Sequence, residues 1–144
     1  MTWLGCGRPT LLLAATLIAA GIGLPMSVSG AADRVVAVTE NQNGSTVEIT
    51  RAQKLEVRLP VQGGTGFSWE LTRAPGAAVR LASSKVLPGS AGARPGGAQI
   101  QVLVFAPTAA GADDIELGYH RPWEKASAPA RTFVLHVVVR DAAR

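Results

Sequence analysis

The sequence predicts an all-β protein, an immunoglobulin-like antiparallel β-sandwich of seven or eight strands. Short segments alternate between apolar and polar residues with period two, which is typical of strands that are half buried. The breaks between them are rich in Gly, Pro, Ala and Asn, and no segment carries an apolar period near 3.6 that is long enough for a helix. Many short strands in one domain favour a sandwich, although a barrel has similar sequence cues.

Each predicted strand rests on its own pattern. In the clearest case, Leu55, Val57 and Leu59 point to one face and the charged residues between them to the other. Pro60 is expected to begin the break that follows, which ends in a run of glycines. The predicted strands cover residues 34–39, 45–50, 54–59, 67–71, 78–87, 99–106, 114–119 and 131–139.

Two of these strands carry distinctive side chains. Phe67, Trp69 and Leu71 share one face of their strand, and we expect Trp69 to be a core residue because large aromatic side chains are usually buried. The segment 99–106 alternates differently. It places Gln99 and Gln101 on one face and the aliphatic side chains between and after them on the other.

The first 32 residues are typical of a secretory signal peptide. Arg8 is the only charged residue before Asp33, the run from residue 11 to 24 is continuously apolar, and small residues follow it. We therefore expect cleavage near Ala31 or Ala32, a mature domain of residues 33–144, and a periplasmic or secreted location without stable membrane insertion. An uncleaved membrane anchor is the alternative, because the uncharged stretch approaches the ~20 residues that span a bilayer.

Composition argues against several classes of function. The only cysteine, Cys6, lies in the predicted signal peptide, so the domain is expected to lack disulfides and thiol chemistry. The formal net charge of +4 comes from arginines dispersed along the chain, whereas nucleic-acid binders cluster them with aromatic residues. Two histidines are too few for a convincing metal site, no serine lies in a nucleophile motif, and no cofactor is expected. An enzyme is the least favoured class.

Three loops stand out because sandwiches often carry their function on loops at one end. The first loop (residues 62–66) is mostly glycine, the middle loop (90–97) is rich in Gly, Ala and Pro, and the third loop (120–124) reads HRPWE. On composition alone, the first loop is a plain hairpin turn. The middle loop fits a flexible loop that docks on a partner and a surface insertion without function equally well. Trp123 either folds back onto the domain or projects as a binding anchor. His120 is read as an ordinary loop histidine.

The order of these segments resembles the chagasin family of cysteine protease inhibitors. TGFSW (65–69), the paired glycines Gly96 and Gly97, GYHRPWE (118–124) and a closing hydrophobic strand follow one another as in that family. The resemblance covers essentially the whole predicted mature domain. One departure lies in the first loop, where the family commonly has asparagine, proline and threonine and this chain has Gln62, Gly63 and Gly64.

The resemblance implies a monomeric, reversible, non-covalent inhibitor of papain-like cysteine proteases, whose three loops occlude the active-site cleft. The first loop would cover the catalytic residues, flanked by the middle loop and the third loop. Because the first loop lacks the stiffening proline, we expect weaker affinity than is usual in the family. A non-inhibitory envelope or adhesion module on the same sandwich is the alternative. The implied protease-binding residues are Gly64, Thr65, Gly66, Phe67, Gly96, Gly97, Arg121, Pro122 and Trp123.

Overall fold

The computed structural model describes residues 34–89, 97–124 and 127–142, which form two four-stranded sheets that enclose one core. The predicted signal peptide lies outside these residues. Within the described ranges, no helix has the length and apolar character needed to cross a membrane. The strands are β1 (Arg34–Thr39), β2 (Thr46–Thr50), β3 (Gln53–Gln62), β4 (Ser68–Arg73), β5 (Val79–Pro88), β6 (Ala98–Pro107), β7 (Gly111–His120) and β8 (Arg131–Arg140), with a short 3-10 turn at Glu40–Gln42.

The predicted sandwich is confirmed, with eight strands and two parallel pairs at its edges. One sheet has the order β1-β3-β6-β5 and the other β2-β8-β7-β4. The β1–β3 and β2–β8 pairs are parallel, and the remaining pairs are antiparallel. The parallel β1–β3 pair arises because β2, which lies between them in the chain, belongs to the other sheet. The chain therefore crosses twice, and β3 resumes the direction of β1.

Alternating side chains from both sheets fill the core. Leu55, Val57 and Leu59 are completely buried, as the period-two pattern of β3 predicts. The opposite sheet contributes side chains such as Ile115 and Phe133, so the two inner faces shield each other from water. Trp69 is only 3% exposed, which confirms its assignment to the core.

The break predicted at Pro60 is wrong, because β3 continues to Gln62. Strand β1 pairs with β3 only as far as Arg58, so beyond that residue β3 has β6 as its single strand neighbour. Proline is tolerated at such an edge because its missing N–H has no ladder partner to lose. The Pro60 carbonyl accepts a hydrogen bond from Trp69 Nε1 at 3.0 Å. The extension carries β3 directly to the first loop.

The alternation of β6 places a polar side chain in the interior. Gln101 shares the core-facing side of the strand with Leu103 and Phe105, and it is 5% exposed. It is the one buried polar or charged residue found in the described ranges. The glutamine face, and not the aliphatic face of Ile100, is therefore the one that packs against the second sheet.

Candidate functional site at the loop end of the sandwich

All three loops leave the sandwich at one end, because the strands that carry them end together. In the first sheet, Gln62 at the end of β3 is paired with Ala98 at the start of β6. In the second sheet, Ser68 at the start of β4 is paired with His120 at the end of β7. The first loop crosses between the sheets, from the end of β3 to the start of β4. The strand register thus brings together the first loop, the third loop and the start of β6, where the middle loop ends.

The first loop is a closed turn that depends on its glycines. Gly64 and Gly66 have φ of 78° and 74°, in the left-handed region that glycine adopts at no steric cost. Thr65 Oγ1 donates a hydrogen bond to the Gln62 carbonyl at 2.8 Å and accepts one from the Phe67 N–H at 3.5 Å. The hydroxyl of Thr65 therefore closes the turn from within, although the residue as a whole is exposed.

An aromatic cluster supports both stems of the first loop. The Phe67 and Tyr119 rings stack with centroids 5.1 Å apart, and the Trp69 ring lies 5.1 Å from Tyr119 on a tilted plane. The Tyr119 hydroxyl accepts a hydrogen bond from the Gln62 N–H at 3.1 Å. Sequence reasoning did not single out Tyr119. The available signal was its position directly before the HRPWE segment, because a residue at the base of the third loop is close to the first loop.

Arg121 joins the third loop to the first. Its Nε donates a hydrogen bond to the Thr65 carbonyl at 3.2 Å, and its guanidinium carbon lies 4.8 Å from the centroid of the Phe67 ring. Its Nη1 pairs with a Glu124 carboxylate oxygen at 3.1 Å, so the charges of these two side chains offset each other. The arginine thus holds the backbone of the first loop, and Glu124 orients the arginine.

Trp123 is both an exposed side chain and a neighbour of the first loop. Its side chain is 69% exposed, the highest value among the large hydrophobic residues described. A Cβ atom placed on Gly66 would overlap Cη2 of this indole and would lie 3.0 Å from Cζ2. Pro122, half buried, precedes it in a turn closed by the Glu124 N–H and the Arg121 carbonyl at 2.9 Å. The ring therefore rests on bare glycine backbone with most of its surface open to a partner.

The described part of the middle loop also contacts the first loop. The Gly63 N–H donates a hydrogen bond to the Gly97 carbonyl at 3.2 Å. A Cβ atom on Gly63 would lie 3.0 Å from that carbonyl and 3.0 Å from Gln99 Oε1, so any larger residue would press against both groups. The predicted site residue Gly96 lies outside the described residues, as does the rest of 90–96. The structure therefore brings together eight of the nine predicted site residues.

His120 lies at the base of the third loop. Its Nδ1 is 3.1 Å from the Arg121 carbonyl, and its Nε2 is 3.6 Å from a Glu70 carboxylate oxygen. Within 34–89, 97–124 and 127–142, no three His, Cys, Asp or Glu residues are grouped closely enough to hold a metal ion. The exposed groups described at this end include the glycine backbone of the first loop, the Trp123 indole and the paired side chains of Arg121 and Glu124. Bare backbone and an indole are suited to binding by shape.

Comparison with known proteins agrees with this geometry. Residues 48–137 match the family model described as the Chagasin family peptidase inhibitor. Amoebiasin-2 of Entamoeba histolytica is 30% identical over 107 residues, which span 72% of this chain and 84% of the relative.

Solved structures show the same fold. The crystal structure of the cysteine protease inhibitor EhICP2 from Entamoeba histolytica superposes with a TM-score of 0.63 at 25% identity, covering 74% of this chain and 96% of EhICP2. The solution structure of Amebosin gives 0.60 at 26% identity, covering 74% and 98%. The matched family comprises inhibitors and not enzymes, in agreement with the motif analysis. The chain belongs to the chagasin family of peptidase inhibitors.

Proposed function

We propose that this protein inhibits papain-like cysteine proteases by reversible, non-covalent occlusion of the active-site cleft. One observation carries the proposal: Arg121 binds the Thr65 carbonyl while the Trp123 indole rests on Gly66, so the first and third loops form one exposed surface. Membership of the family and the likeness to EhICP2, a cysteine protease inhibitor, support the choice of protease class. No observation favours a non-inhibitory adhesion module.

The chemistry of inhibition follows from what the loops expose. The bare backbone at Gly64 and Gly66, on either side of Thr65, allows a close approach to a narrow cleft, where larger side chains would collide with its walls. Trp123 adds a large apolar surface that loses little rotamer freedom on binding. The loop would enter the cleft without placing a peptide bond in line with the catalytic sulfur, so binding would not lead to cleavage.

The contacts within the site reduce the entropic cost of binding. The first loop lacks the family's proline, yet it is closed by Thr65 and linked to Arg121 and Gly97 by hydrogen bonds. A loop already held in its bound shape loses less conformational freedom on association. These contacts stiffen the glycine-rich first loop, whose backbone has the most conformational freedom.

Titration of the purified protein against papain tests the proposal directly. We expect competitive inhibition of peptide hydrolysis with an inhibition constant in the nanomolar range or somewhat weaker, and one inhibitor monomer per active site. The stoichiometry is read from titration at enzyme concentrations well above the inhibition constant. Full papain activity at micromolar inhibitor would refute the proposed function.

Replacing Thr65 with alanine should weaken inhibition by about 1 kcal/mol, the usual contribution of one hydrogen bond. The reason is that the Thr65 hydroxyl closes the first loop on the Gln62 carbonyl. Thr65→Ser, which keeps the hydroxyl, is the matched control and should retain most of the affinity. An alanine variant that inhibits as well as the parent would show that the glycine backbone alone determines the shape of the loop.

We also propose that the protein is exported and processed to a mature chain that begins near Asp33. The support is the sequence of the first 32 residues, in which a continuous apolar run is followed by small residues. Expression of residues 1–144 in a bacterial host, followed by N-terminal sequencing of the periplasmic and medium fractions, should identify the processed form. Recovery of the chain in the membrane fraction with residues 1–32 intact would indicate an anchor instead.

A further inference from the structure

The buried amide of Gln101 forms hydrogen bonds with the edge strand β4, on the side where β4 has no strand neighbour among the described residues. Its Oε1 accepts a hydrogen bond from the Trp69 N–H at 2.8 Å, and its Nε2 donates one to the Trp69 carbonyl at 2.8 Å. Trp69 belongs to β4, an edge strand of the second sheet, whereas Gln101 belongs to β6 of the first. A side chain from one sheet thus pairs with the backbone of the other, as a neighbouring strand does.

The orientation of this amide is fully determined. The Nε2 group donates its second hydrogen bond to Ser84 Oγ at 3.1 Å, and an amide turned by 180° would present a donor to the Trp69 N–H. With its partners satisfied, the buried group avoids the free-energy cost of an unpaired polar atom. The pairing therefore has one geometry, and it fixes the distance between β6 and β4.

The same residue holds the other stem of the first loop. In the ladder between β3 and β6, Gln101 is the partner of Leu59. Its backbone is therefore opposite the strand that enters the first loop, and its side chain binds the strand that leaves it. The nine residues from Pro60 to Ser68 are closed by contacts to a single residue. A shift of either stem moves Thr65 and Gly66 relative to Arg121.

We infer that Gln101 is a positioning residue for inhibition, which fixes the span of the first loop without touching the protease. The inference rests on the proposed inhibition of papain-like proteases. It assigns part of the binding affinity to a buried side chain outside the three loops. The expected mechanism is that a looser span lets the first loop sample shapes that do not fit the cleft, which raises the inhibition constant.

The test compares Gln101→Met with a control of similar structural cost. Methionine keeps the volume of the side chain but removes both hydrogen bonds to Trp69. Val139→Ala removes buried apolar atoms from β8, in a position paired with Gly111 at the far end of β7. With both variants folded at the assay temperature, Gln101→Met should raise the inhibition constant for papain about tenfold, and Val139→Ala should leave it unchanged. A Gln101→Met value within twofold of the parent would overturn the inference.

Hydrogen exchange keeps the inference testable apart from inhibition. In the parent protein, the Trp69 amide should exchange as slowly as amides in the middle strands, since it is bonded to Gln101. In Gln101→Met, exchange at Phe67 and Trp69 should accelerate more than in Val139→Ala. A rapidly exchanging Trp69 amide in the parent would contradict the pairing of Gln101 with Trp69, even if Gln101→Met failed to fold. If the Trp69 amide exchanges slowly in the parent but the parent does not inhibit papain, the proposed function is refuted, whereas the pairing of Gln101 with Trp69 is supported.

Discussion

Replacing Trp123 with alanine should weaken inhibition of a papain-like protease by ~2 kcal/mol or more, equivalent to about thirtyfold in the inhibition constant. The indole is 69% exposed in the free protein, so most of its surface is available to be buried against the enzyme. Tryptophan side chains at the centre of an interface account for a large share of the binding free energy. The Gly66 backbone beneath the ring holds it in place before binding.

The stability of the Trp123→Ala variant should change little, because substitutions of exposed side chains usually alter the free energy of unfolding by less than ~0.5 kcal/mol. Thermal unfolding therefore separates lost binding from lost folding. Val35→Ala, which truncates another exposed apolar side chain outside the three loops, is the control and should inhibit like the parent. An unchanged inhibition constant for Trp123→Ala would remove this residue from the site.

Replacing Gly66 with alanine should weaken inhibition by about 2 kcal/mol or more, for two separable reasons. The left-handed backbone at this position costs roughly 1–2 kcal/mol for a residue with a Cβ atom. In addition, the new methyl group would overlap the Trp123 indole, so the ring or the loop must move. The inhibition constant for papain measures the sum of both effects.

Gly44→Ala is the control for backbone strain outside the three loops. Gly44 has φ of 78°, nearly that of Gly66, but a Cβ atom there would meet no atom within 4 Å. It should therefore lose stability through backbone strain alone and inhibit like the parent. Adding Gly66→Ala to a Trp123→Ala background should cost less than it does in the parent, because the overlapping ring is gone. Additive losses in that double variant would show that the contact between the two residues is irrelevant to binding.

The sheets were largely predictable because period-two alternation reports directly which side chains face the core. The predicted strands correspond in order to β1–β8, and the buried positions of β3 are those expected. The two parallel pairs were not predictable, because alternation within a strand carries no information about which sheet the strand joins. The continuation of β3 through Pro60 depends on where β1 ends, which is a tertiary property.

The site was predictable as a set of loops, but its internal contacts were not. Resemblance to the chagasin family named Thr65, Gly66 and Trp123, and the structure places them together. The hydrogen bond from Arg121 to the Thr65 carbonyl joins residues 56 positions apart, and no local sequence pattern predicts it. From the sequence, Gln101 is only one of two glutamines on a strand face, and the fold alone reveals that its side chain is buried against the Trp69 backbone.

Protection of the catalytic cysteine of papain from alkylation tests the occlusion mechanism most directly. Papain is mixed with a small excess of the inhibitor and exposed to iodoacetamide, and modification of its active-site sulfur is followed by intact mass. We expect alkylation to slow in proportion to the fraction of enzyme bound, and the Trp123→Ala variant to protect only at higher concentration. Alkylation at the rate of the free enzyme, in a complex shown to be intact by size-exclusion chromatography, would contradict occlusion of the active site.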